Sequence, residues 1–230
     1  MRVVIVADGD VDAPALRRAA AGGGERVPLL AADGGALKAE AAGLRVDLVL
    51  GDGDSLGQDD QSRLIASGVE VRTVAPEKEM SDTELCLREA LAMGATSMSI
   101  HGALGGARPE HSLANVALLA LPELAGLDVT IEHGVGTIRL CGAADGPARI
   151  DLSGQPGDFL SLLPLPPGAL GITTRGLRYP MNDEDLDHGP SRGLSNEFLD
   201  SQATVTVRQG RLLVTQSLAV TQSHRRGTTP

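Results

Sequence analysis

Two aspartates directly follow a short apolar run and could bind a cation. Leu48–Leu50 has the character of a buried strand, and Asp52 and Asp54 stand just beyond it, two positions apart. In extended backbone, side chains at i and i+2 project to the same side, so both carboxylates could contact one metal ion. The alternative is an acidic loop of turn-forming Asp and Gly residues, which this segment alone does not exclude.

A second cluster, Glu77–Asp82, stands between a predicted strand and a predicted helix. Asp82 could join a metal shell, and Lys78 could meet a phosphate group as a point charge. Ser81 and Glu84 have the S-x-x-E spacing of a capping box, which places Asp82 in the first helical turn. The alternative is that Asp82 only complements the helix dipole while Lys78 is solvated.

A glycine-rich segment forms the third cluster, between His101 and His111. Glycines let backbone N–H groups approach phosphate oxygens, and Arg108 offers a planar fork of donors to the same oxygens. The two histidines lack a third nitrogen or sulfur ligand at suitable spacing, so we interpret them as structural residues rather than zinc ligands.

Three familiar nucleotide-handling signatures are missing from the sequence. It has no GxxxxGKS/T loop, no GxGxxG after the first apolar run and no HxE/CxxC deaminase pattern. Phosphate binding would therefore depend on a metal held by carboxylates and on dispersed basic residues.

The elements that must position these clusters follow a βα alternation over residues 1–133. Alternating short β-branched runs and Ala/Leu-rich stretches predict a mainly parallel sheet with flanking helices. The three clusters follow three different predicted strands, so they could meet at one edge of that sheet. Residues 134–230 instead show short strands between Gly, Pro and Asp turns, which predicts a smaller all-β domain. Gln209-Gly210 suggests a hairpin between two of those strands.

Composition limits the classes of function. The 230 residues are 42% hydrophobic with one Tyr, two Phe and no Trp, and the net charge is −10. Few aromatic side chains and an acidic balance argue against nucleic-acid binding. The first apolar run, Val3–Ala7, is shorter than a signal-peptide core or a membrane span, so we predict a cytoplasmic protein that does not bind membranes. Cys86 and Cys141 have no metal-site spacing and are interpreted as core residues.

Several segments, taken in order, resemble the thiamine pyrophosphokinase (thiamine diphosphokinase) family. The segments are Ala31–Ala36, Gly51–Leu56, Glu77–Glu84, Gly102–Asn115, Gly176–Pro180 and Gly193–Phe198. Each segment alone is weak evidence for the family. Their combination in this order is specific to the family and covers nearly the whole chain.

The resemblance implies an α/β nucleotide-binding catalytic domain at residues 1–133 and a thiamine-binding β-sandwich at residues 134–230. It also implies a homodimer that converts thiamine and ATP to thiamine diphosphate and AMP with Mg²⁺. By position in the family's motifs, the resemblance implies that the catalytic residues are Asp52, Asp54, Asp82, Lys78 and Arg108, and that the three aspartates bind the metal. Residues carried over for the nucleotide are Asp33, Gly34, Gly35, Gly105, Gly106, Glu79 and Glu110. Those for thiamine are Ser195, Asn196 and Glu197.

The sequence departs from the family pattern at five positions. A bulky residue is usual where Gly53 stands, Asp where Glu79 and Glu110 stand, and Thr where Ser81 stands, while Ala107 lengthens the Gly-Gly-Arg spacing by one. Without Trp, a ring contact to thiamine would come from Tyr179, Phe198, Phe159 or an aliphatic surface. Two other functions stay open: a binding module without catalysis, and a pyrophosphokinase for another primary alcohol.

Overall fold

The structure is a computed structural model that describes residues 1–24, 26–75, 79–142 and 146–219. It divides into two compact units, Met1–Arg139 and Leu140–Pro230. The boundary expected from the sequence, between residues 133 and 134, falls just before strand β7.

The first unit contains a mainly parallel sheet, as the sequence predicts. Its strand order is β4-β3-β2-β1-β5-β6-β7, and every neighbouring pair is parallel except β6 with β7. The strands are β1 Arg2–Val6, β2 Leu29–Ala32, β3 Leu48–Gly51, β4 Glu70–Thr73, β5 Ser97–His101, β6 Asp128–His133 and β7 Gly136–Cys141, and the last two residues of β7 belong to the second unit.

Five α-helices and two short 3₁₀ turns accompany this sheet in the described residues. The helices are α1 Ala13–Ala21, α2 Gly35–Ala41, α3 Gln58–Ala66, α4 Asp82–Ala92 and α5 Pro109–Leu118, and the turns are Gly22–Gly24 and Pro122–Leu124. The sequence pattern predicts helices over Ala13–Ala21 and Asp82–Ala92, and the bounds of α1 and α4 confirm both. It also predicts a helix over Ser112–Leu121. Helix α5 begins three residues earlier, because Pro109 has the fixed φ that suits a first helical position.

Small aliphatic side chains fill the core of the first unit. One cluster joins Val4, Val6, Ala31 and Val49 of the sheet to Leu16 and other residues of the covering helices. Close helix-to-sheet packing of this kind suits an Ala-rich sequence, because small side chains let the backbones approach one another.

The order of the strands reverses beside β1. The chain moves from β1 to β2, β3 and β4 on one side, and then crosses to β5 on the other side of β1. In open α/β sheets, ligands bind in the crevice at the carboxyl ends of strands where this reversal occurs. The fold therefore marks the loops that follow β1 and β5.

The second unit is antiparallel. Its long strand β9 pairs with β10, β11, β12 and β13, and β12 also pairs with β8. The strands are β8 Ala148–Ser153, β9 Phe159–Arg175, β10 Glu184–Asp187, β11 Asn196–Glu197, β12 Gln202–Val207 and β13 Gln209–Ser217. Phe198 is 2% exposed and belongs to the core of this unit.

The predicted hairpin at Gln209-Gly210 is wrong. Both residues lie inside β13, and β12 and β13 pair with different segments of β9, so no two-residue turn joins them as partners. A Gly next to a polar residue resembles a turn locally, but here Gly210 accommodates a close approach of the backbone at Gly168 and Ala169.

In the part of the chain that the structure describes, no helix has the length and apolar character needed to cross a membrane.

Candidate active site

A cavity of about 650 Å³ opens at the carboxyl ends of the strands in the first unit. Loops after β1, β2, β3 and β5 line it, together with the first turns of α4 and α5. Its walls differ in chemistry: one carries carboxylates from the loops after β2 and β3 and from α4, and the other carries backbone from the loops after β1 and β5. We call these the acidic wall (Asp33, Asp52, Asp54, Asp82) and the glycine wall (Asp8, Gly9 and residues 102–108).

Three aspartates converge on the acidic wall. Asp33, Asp52 and Asp82 each offer one carboxylate oxygen, and these oxygens lie within 4.8 Å of one another. Asp52 directly follows β3, and Asp82 opens α4. Ser81 caps that helix by accepting a hydrogen bond from the Glu84 N–H at 3.2 Å, so the predicted cap is confirmed.

Asp33 is held rigidly in this cluster. Its φ of +44° lies in the left-handed region, and its carboxylate accepts a hydrogen bond from the Ser55 N–H at 2.8 Å. Gly51 makes room for it, because a Cβ at that position would lie 2.7 Å from the Cβ of Asp33. The strained backbone and the missing side chain next to it both serve to place one buried carboxylate, which is 4% exposed.

Burial perturbs the acidity of Asp33. Loss of solvent raises the pKa of its carboxyl to about 6, and the Ser55 N–H opposes this rise by stabilising the charged form. The carboxyl groups of Asp54 and Asp82 add to the rise through hydrogen bonding and charge repulsion. A bound cation would reverse this balance, since it stabilises all three negative charges together.

The donor set fits a hard divalent cation. Carboxylate oxygens are the ligands that Mg²⁺ prefers, at about 2.1 Å, so two oxygens on one ion lie at most about 4.2 Å apart. The oxygens of Asp33, Asp52 and Asp82 are close to that separation. Small side-chain rotations would therefore bring all three into contact with one ion.

Asp54 lines the cavity but lies outside this group of three. Its carboxylate accepts a hydrogen bond from its neighbour Ser55 Oγ at 3.1 Å, and its N–H donates to Asp52 at 3.3 Å. Gly53, between the two aspartates, has a φ of +80°, and a Cβ there would lie 2.1 Å from the Gln61 amide nitrogen. Gln61 thus fills space that a bulky residue at position 53 would need.

The glycine wall is a pair of loops tied together by their backbones. Gly9 N–H donates to the Gly102 carbonyl and Asp10 N–H to the Leu104 carbonyl, each at 2.8 Å. Gly102 has a φ of +67°, and a Cβ there would lie 2.2 Å from the Ala7 carbonyl oxygen. Within the described residues, no protein acceptor takes a hydrogen bond from the N–H groups of residues 103–107. These donors are available to a ligand.

Arg108 stands at the exposed end of the glycine wall. Its Nε donates to Glu110 at 2.8 Å, and both side chains are more than 60% exposed. The guanidinium lowers the pKa of the Glu110 carboxyl. An exposed pair of this kind contributes little to stability, so Arg108 can exchange Glu110 for a phosphate group at small cost.

In the second unit, the segment predicted to bind thiamine is tied to the segment around Tyr179. The Asn196 carboxamide accepts from the Tyr179 N–H at 3.0 Å and donates to the Tyr179 carbonyl at 2.7 Å. Glu197 pairs with Arg178 at 2.8 Å, and that guanidinium lies 5.7 Å from the centre of the Tyr179 ring. Asn196 is therefore used in holding backbone, while Tyr179, 60% exposed, is presented to solvent.

Comparison with known proteins identifies two domains of one family, one after the other along the chain. Residues 26–131 match the family described as "Thiamin pyrophosphokinase, catalytic domain", and residues 148–212 match "Thiamin pyrophosphokinase, vitamin B1 binding domain". The chain belongs to the thiamine pyrophosphokinase family. It is an enzyme of that family, and its two units carry the two matched domains in sequence.

The chain is also similar in sequence and in structure to individual thiamine pyrophosphokinases. The protein from Bacillus subtilis (strain 168) is 24% identical over 167 residues, which are 73% of this chain and 76% of the relative. Its crystal structure matches 95% of this chain and 99% of its own with a TM-score of 0.80. The family protein from Enterococcus faecalis is 26% identical, with a TM-score of 0.77 over 94% of this chain and 99% of its own. The yeast enzyme, at 13% identity, keeps the fold, with a TM-score of 0.76 over 94% of this chain and 86% of its own.

The cavity of this thiamine pyrophosphokinase family member brings together most of the residues predicted for catalysis and nucleotide binding. Among the described residues, those that line it are Asp33, Asp52, Asp54, Asp82, Gly105, Gly106, Arg108 and Glu110. Gly34, Gly35 and Glu79 are described and do not line it. Gly34 and Gly35 instead leave space for the Asp8 carboxylate and the Val6 carbonyl oxygen. Lys78 lies outside the described residues.

Sequence reasoning missed three contributors to this family member's cavity. Asp33 was expected near the nucleotide, not in the three-carboxylate group. Asp8 lines the cavity after β1, where the sequence has no GxGxxG signature, and Asn115 lines it from α5. The position of Asp8 at the end of the first strand was the one available signal, since that strand borders the reversal in strand order.

Proposed function

We propose that this enzyme transfers a diphosphoryl group from ATP to the primary hydroxyl of thiamine, giving thiamine diphosphate and AMP. The observation that carries the proposal is the pairing of a three-carboxylate group with a wall of available backbone N–H donors in one cavity. Both features lie in the unit that matches the family's catalytic domain. A cavity of this volume is large enough for a nucleotide.

The acidic wall would hold Mg²⁺ through Asp33, Asp52 and Asp82. When bound, the ion neutralises phosphate charge and fixes the geometry of the reacting groups. Asp33 is the anchor of this set, because its backbone and its hydrogen bond from Ser55 fix its position before any ligand arrives. Asp52 and Asp82 are half-buried and complete the group.

The glycine wall and Arg108 would bind the phosphate oxygens. The N–H groups of residues 103–107 offer several neutral donors, and the guanidinium offers a charged, two-pronged contact. Lys78, a basic residue predicted to act in the same way, follows strand β4 in the sequence. Because the cavity is rich in carboxylates, these donors and the cation together would offset repulsion between protein and substrate.

In the reaction, the thiamine hydroxyl oxygen attacks the β-phosphorus of ATP, and the bond from that phosphorus to the oxygen of AMP breaks. The hydroxyl proton needs an acceptor in the transition state. We assign Asp54 as the first candidate, because it lines the cavity yet lies outside the three-carboxylate group. Catalysis otherwise depends on positioning and on neutralising charge.

For thiamine, we propose contacts from the second unit's segment around Ser195 and Glu197, with the Tyr179 ring as an exposed aromatic surface. The Glu197 carboxylate would favour the positively charged thiazolium ring. Asn196 would act indirectly, through the backbone of Tyr179. Phe198 is a core residue of its unit and is not offered to a ligand.

We further propose that the enzyme is a cytoplasmic homodimer with a catalytic domain near residues 1–133 and a thiamine-binding domain near residues 134–230. The family resemblance supports the dimer, and the use of ATP supports the location. Sedimentation velocity measures the first directly. A single species at the mass of one chain would contradict the homodimer.

The decisive experiment measures AMP release from ATP and Mg²⁺ with and without thiamine. Thiamine-dependent AMP, with thiamine diphosphate formed in equal amount, is the expected result. Release of AMP only with another primary alcohol would indicate a pyrophosphokinase of different specificity. Binding of ATP and thiamine without turnover would indicate a module that has lost catalysis.

A further inference from the structure

A buried side chain of helix α5 reaches the glycine wall. Asn115 is 7% exposed, and its side-chain N–H donates to the Ala103 carbonyl at 2.9 Å. It is the buried residue of α5, a helix whose other side chains are exposed or half-buried. A buried carboxamide that lines the ligand cavity and holds a loop is suited to a role in ligand binding as well as in packing.

Asn115 completes a series of fixed carbonyl groups. Gly102, Ala103, Leu104 and Gly105 are consecutive, and each carbonyl oxygen accepts a hydrogen bond from outside the loop. The donors are Gly9 N–H, Asn115 Nδ2, Asp10 N–H and Ser112 Oγ, at 2.8, 2.9, 2.8 and 3.3 Å. The β1 loop and α5 therefore hold alternate carbonyls from two sides.

Fixing these carbonyls also fixes the N–H groups that follow them. In a planar trans peptide, the C=O and the next N–H point in opposite directions, so holding one determines the other. The Ala103 carbonyl is bound to Asn115, which sets the direction of the Leu104 N–H. Without Asn115, the Ala103–Leu104 peptide could rotate and the loop would lose its single conformation.

We propose that Asn115 is a positioning residue for diphosphoryl transfer: it orients the glycine-rich loop so that its N–H groups meet the phosphate groups of ATP. This inference rests on the proposed function. It assigns no direct contact between Asn115 and substrate. Its effect is on the binding of phosphate groups and leaves the binding of thiamine unchanged.

The test replaces Asn115 by Ala, which suits a helix, removes the donor and adds no charge to the cavity. Loss of one buried hydrogen bond predicts a rise in the ATP KM of at least about fivefold, with the thiamine KM unchanged within about twofold. The affinity for inorganic pyrophosphate with Mg²⁺, measured by calorimetry, falls by a similar factor. Asn115→Leu, which is close to Asn in size and has neither a donor nor a charge, gives the same pattern if Asn115→Ala does not fold. Leu113→Ala, at a 73% exposed position on the same helix, is the matched control and changes neither quantity.

Two results would overturn the inference. A folded Asn115 variant with unchanged ATP KM and unchanged pyrophosphate affinity would show that the loop needs no such support. Equal rises in the KM of ATP and thiamine would show a general structural role. A parent protein that makes no AMP from ATP and thiamine would instead remove the proposed function, while the calorimetric comparison would still test the positioning of the loop.

Discussion

The two walls of the cavity prepare for a charged ligand in different ways. The acidic wall uses side chains: three carboxylates from separate elements converge, and one of them sits on strained backbone. The glycine wall uses main chain: its loops lack side chains where the backbones approach, and its carbonyls are bound from outside. The first arrangement suits a cation, and the second suits an anion.

The two walls should be sensitive to different kinds of substitution. Carboxylates act through charge, so neutralising one removes function while leaving the shape intact. A backbone wall acts through conformation, so any added side chain disturbs it even without a change of charge. Substitutions that remove charge should therefore impair the acidic wall most, and substitutions that add a side chain should impair the glycine wall most.

The largest effect is expected on the acidic wall. Asp52→Asn should lower turnover by at least about a hundredfold, because a neutral amide weakens the metal site and removes placed charge. Asp54→Asn should also be strongly impaired if that carboxylate accepts the hydroxyl proton, but its dependence on Mg²⁺ concentration should resemble the parent's. Steady-state assays across a Mg²⁺ titration measure both. Asp59→Asn, exposed on α3, serves as control, and near-normal turnover of Asp52→Asn at saturating Mg²⁺ would exclude Asp52 from the metal set.

Two buried titratable groups should respond oppositely to pH: Asp33 on the acidic wall, and His101, which directly precedes the glycine wall in the chain. Asp33 has its pKa raised to about 6, mainly by burial, so its contribution to stability is present below about pH 4 and lost as pH rises through 6. His101, at the end of β5, has its pKa lowered to about 4 by burial and by Arg2, with Asp12 opposing. Its contribution is present above about pH 6.5 and lost as pH falls to 4.

These two contributions should oppose each other between pH 4 and 6 in the metal-free protein, because the one from Asp33 falls and the one from His101 rises as the pH increases. Asp33→Asn should then show stability that rises with pH in this window, and His101→Gln stability that falls. Urea unfolding in EDTA at several pH values measures the slopes. Identical slopes in the parent and both variants would contradict the assignment.

On the glycine wall, Gly102→Ala should reduce the free energy of unfolding by about 2 kcal/mol more than Gly94→Ala does. Both positions have left-handed backbone, with φ of +67° and +82°, so both variants share the conformational cost. A Cβ meets the Ala7 carbonyl oxygen only at Gly102, while nothing lies within 4 Å at Gly94. Equal losses in the two variants would mean that the loops have room to separate.

The smallest effect, a change in the ATP KM, is expected at Arg108, the charged residue of the glycine wall. Arg108→Lys keeps the charge and loses the paired contact to phosphate, so the ATP KM should rise about tenfold. Arg108→Ala should be worse. Initial rates over a range of ATP concentrations test both, with Arg45→Lys, on an exposed loop of the same unit, as control. If both Arg108 variants had the same ATP KM as the parent, Arg108 would not contact the phosphate groups and would only pair with Glu110 at the surface.

Short-range patterns in the sequence encode the secondary-structure elements and the chemical groups at their ends. The apolar pattern was sufficient for β2, α1 and α4, and Ser81 and Glu84 marked the start of α4, because strand alternation, helix periodicity and capping are encoded within a few residues. The same reasoning placed Asp52 and Asp82 at the end of a strand and the start of a helix.

Which of these residues come into contact depends on the tertiary fold. Asp33 lies beside Asp52 and Asp82 because of the order of the strands and its left-handed backbone conformation. Asn196 hydrogen-bonds the Tyr179 backbone because two segments that are distant in the chain lie together. Strands β12 and β13 likewise pair with β9 and not with each other. These outcomes depend on contacts between residues far apart in the chain, where burial and backbone hydrogen bonding outweigh the local preferences that a sequence pattern records.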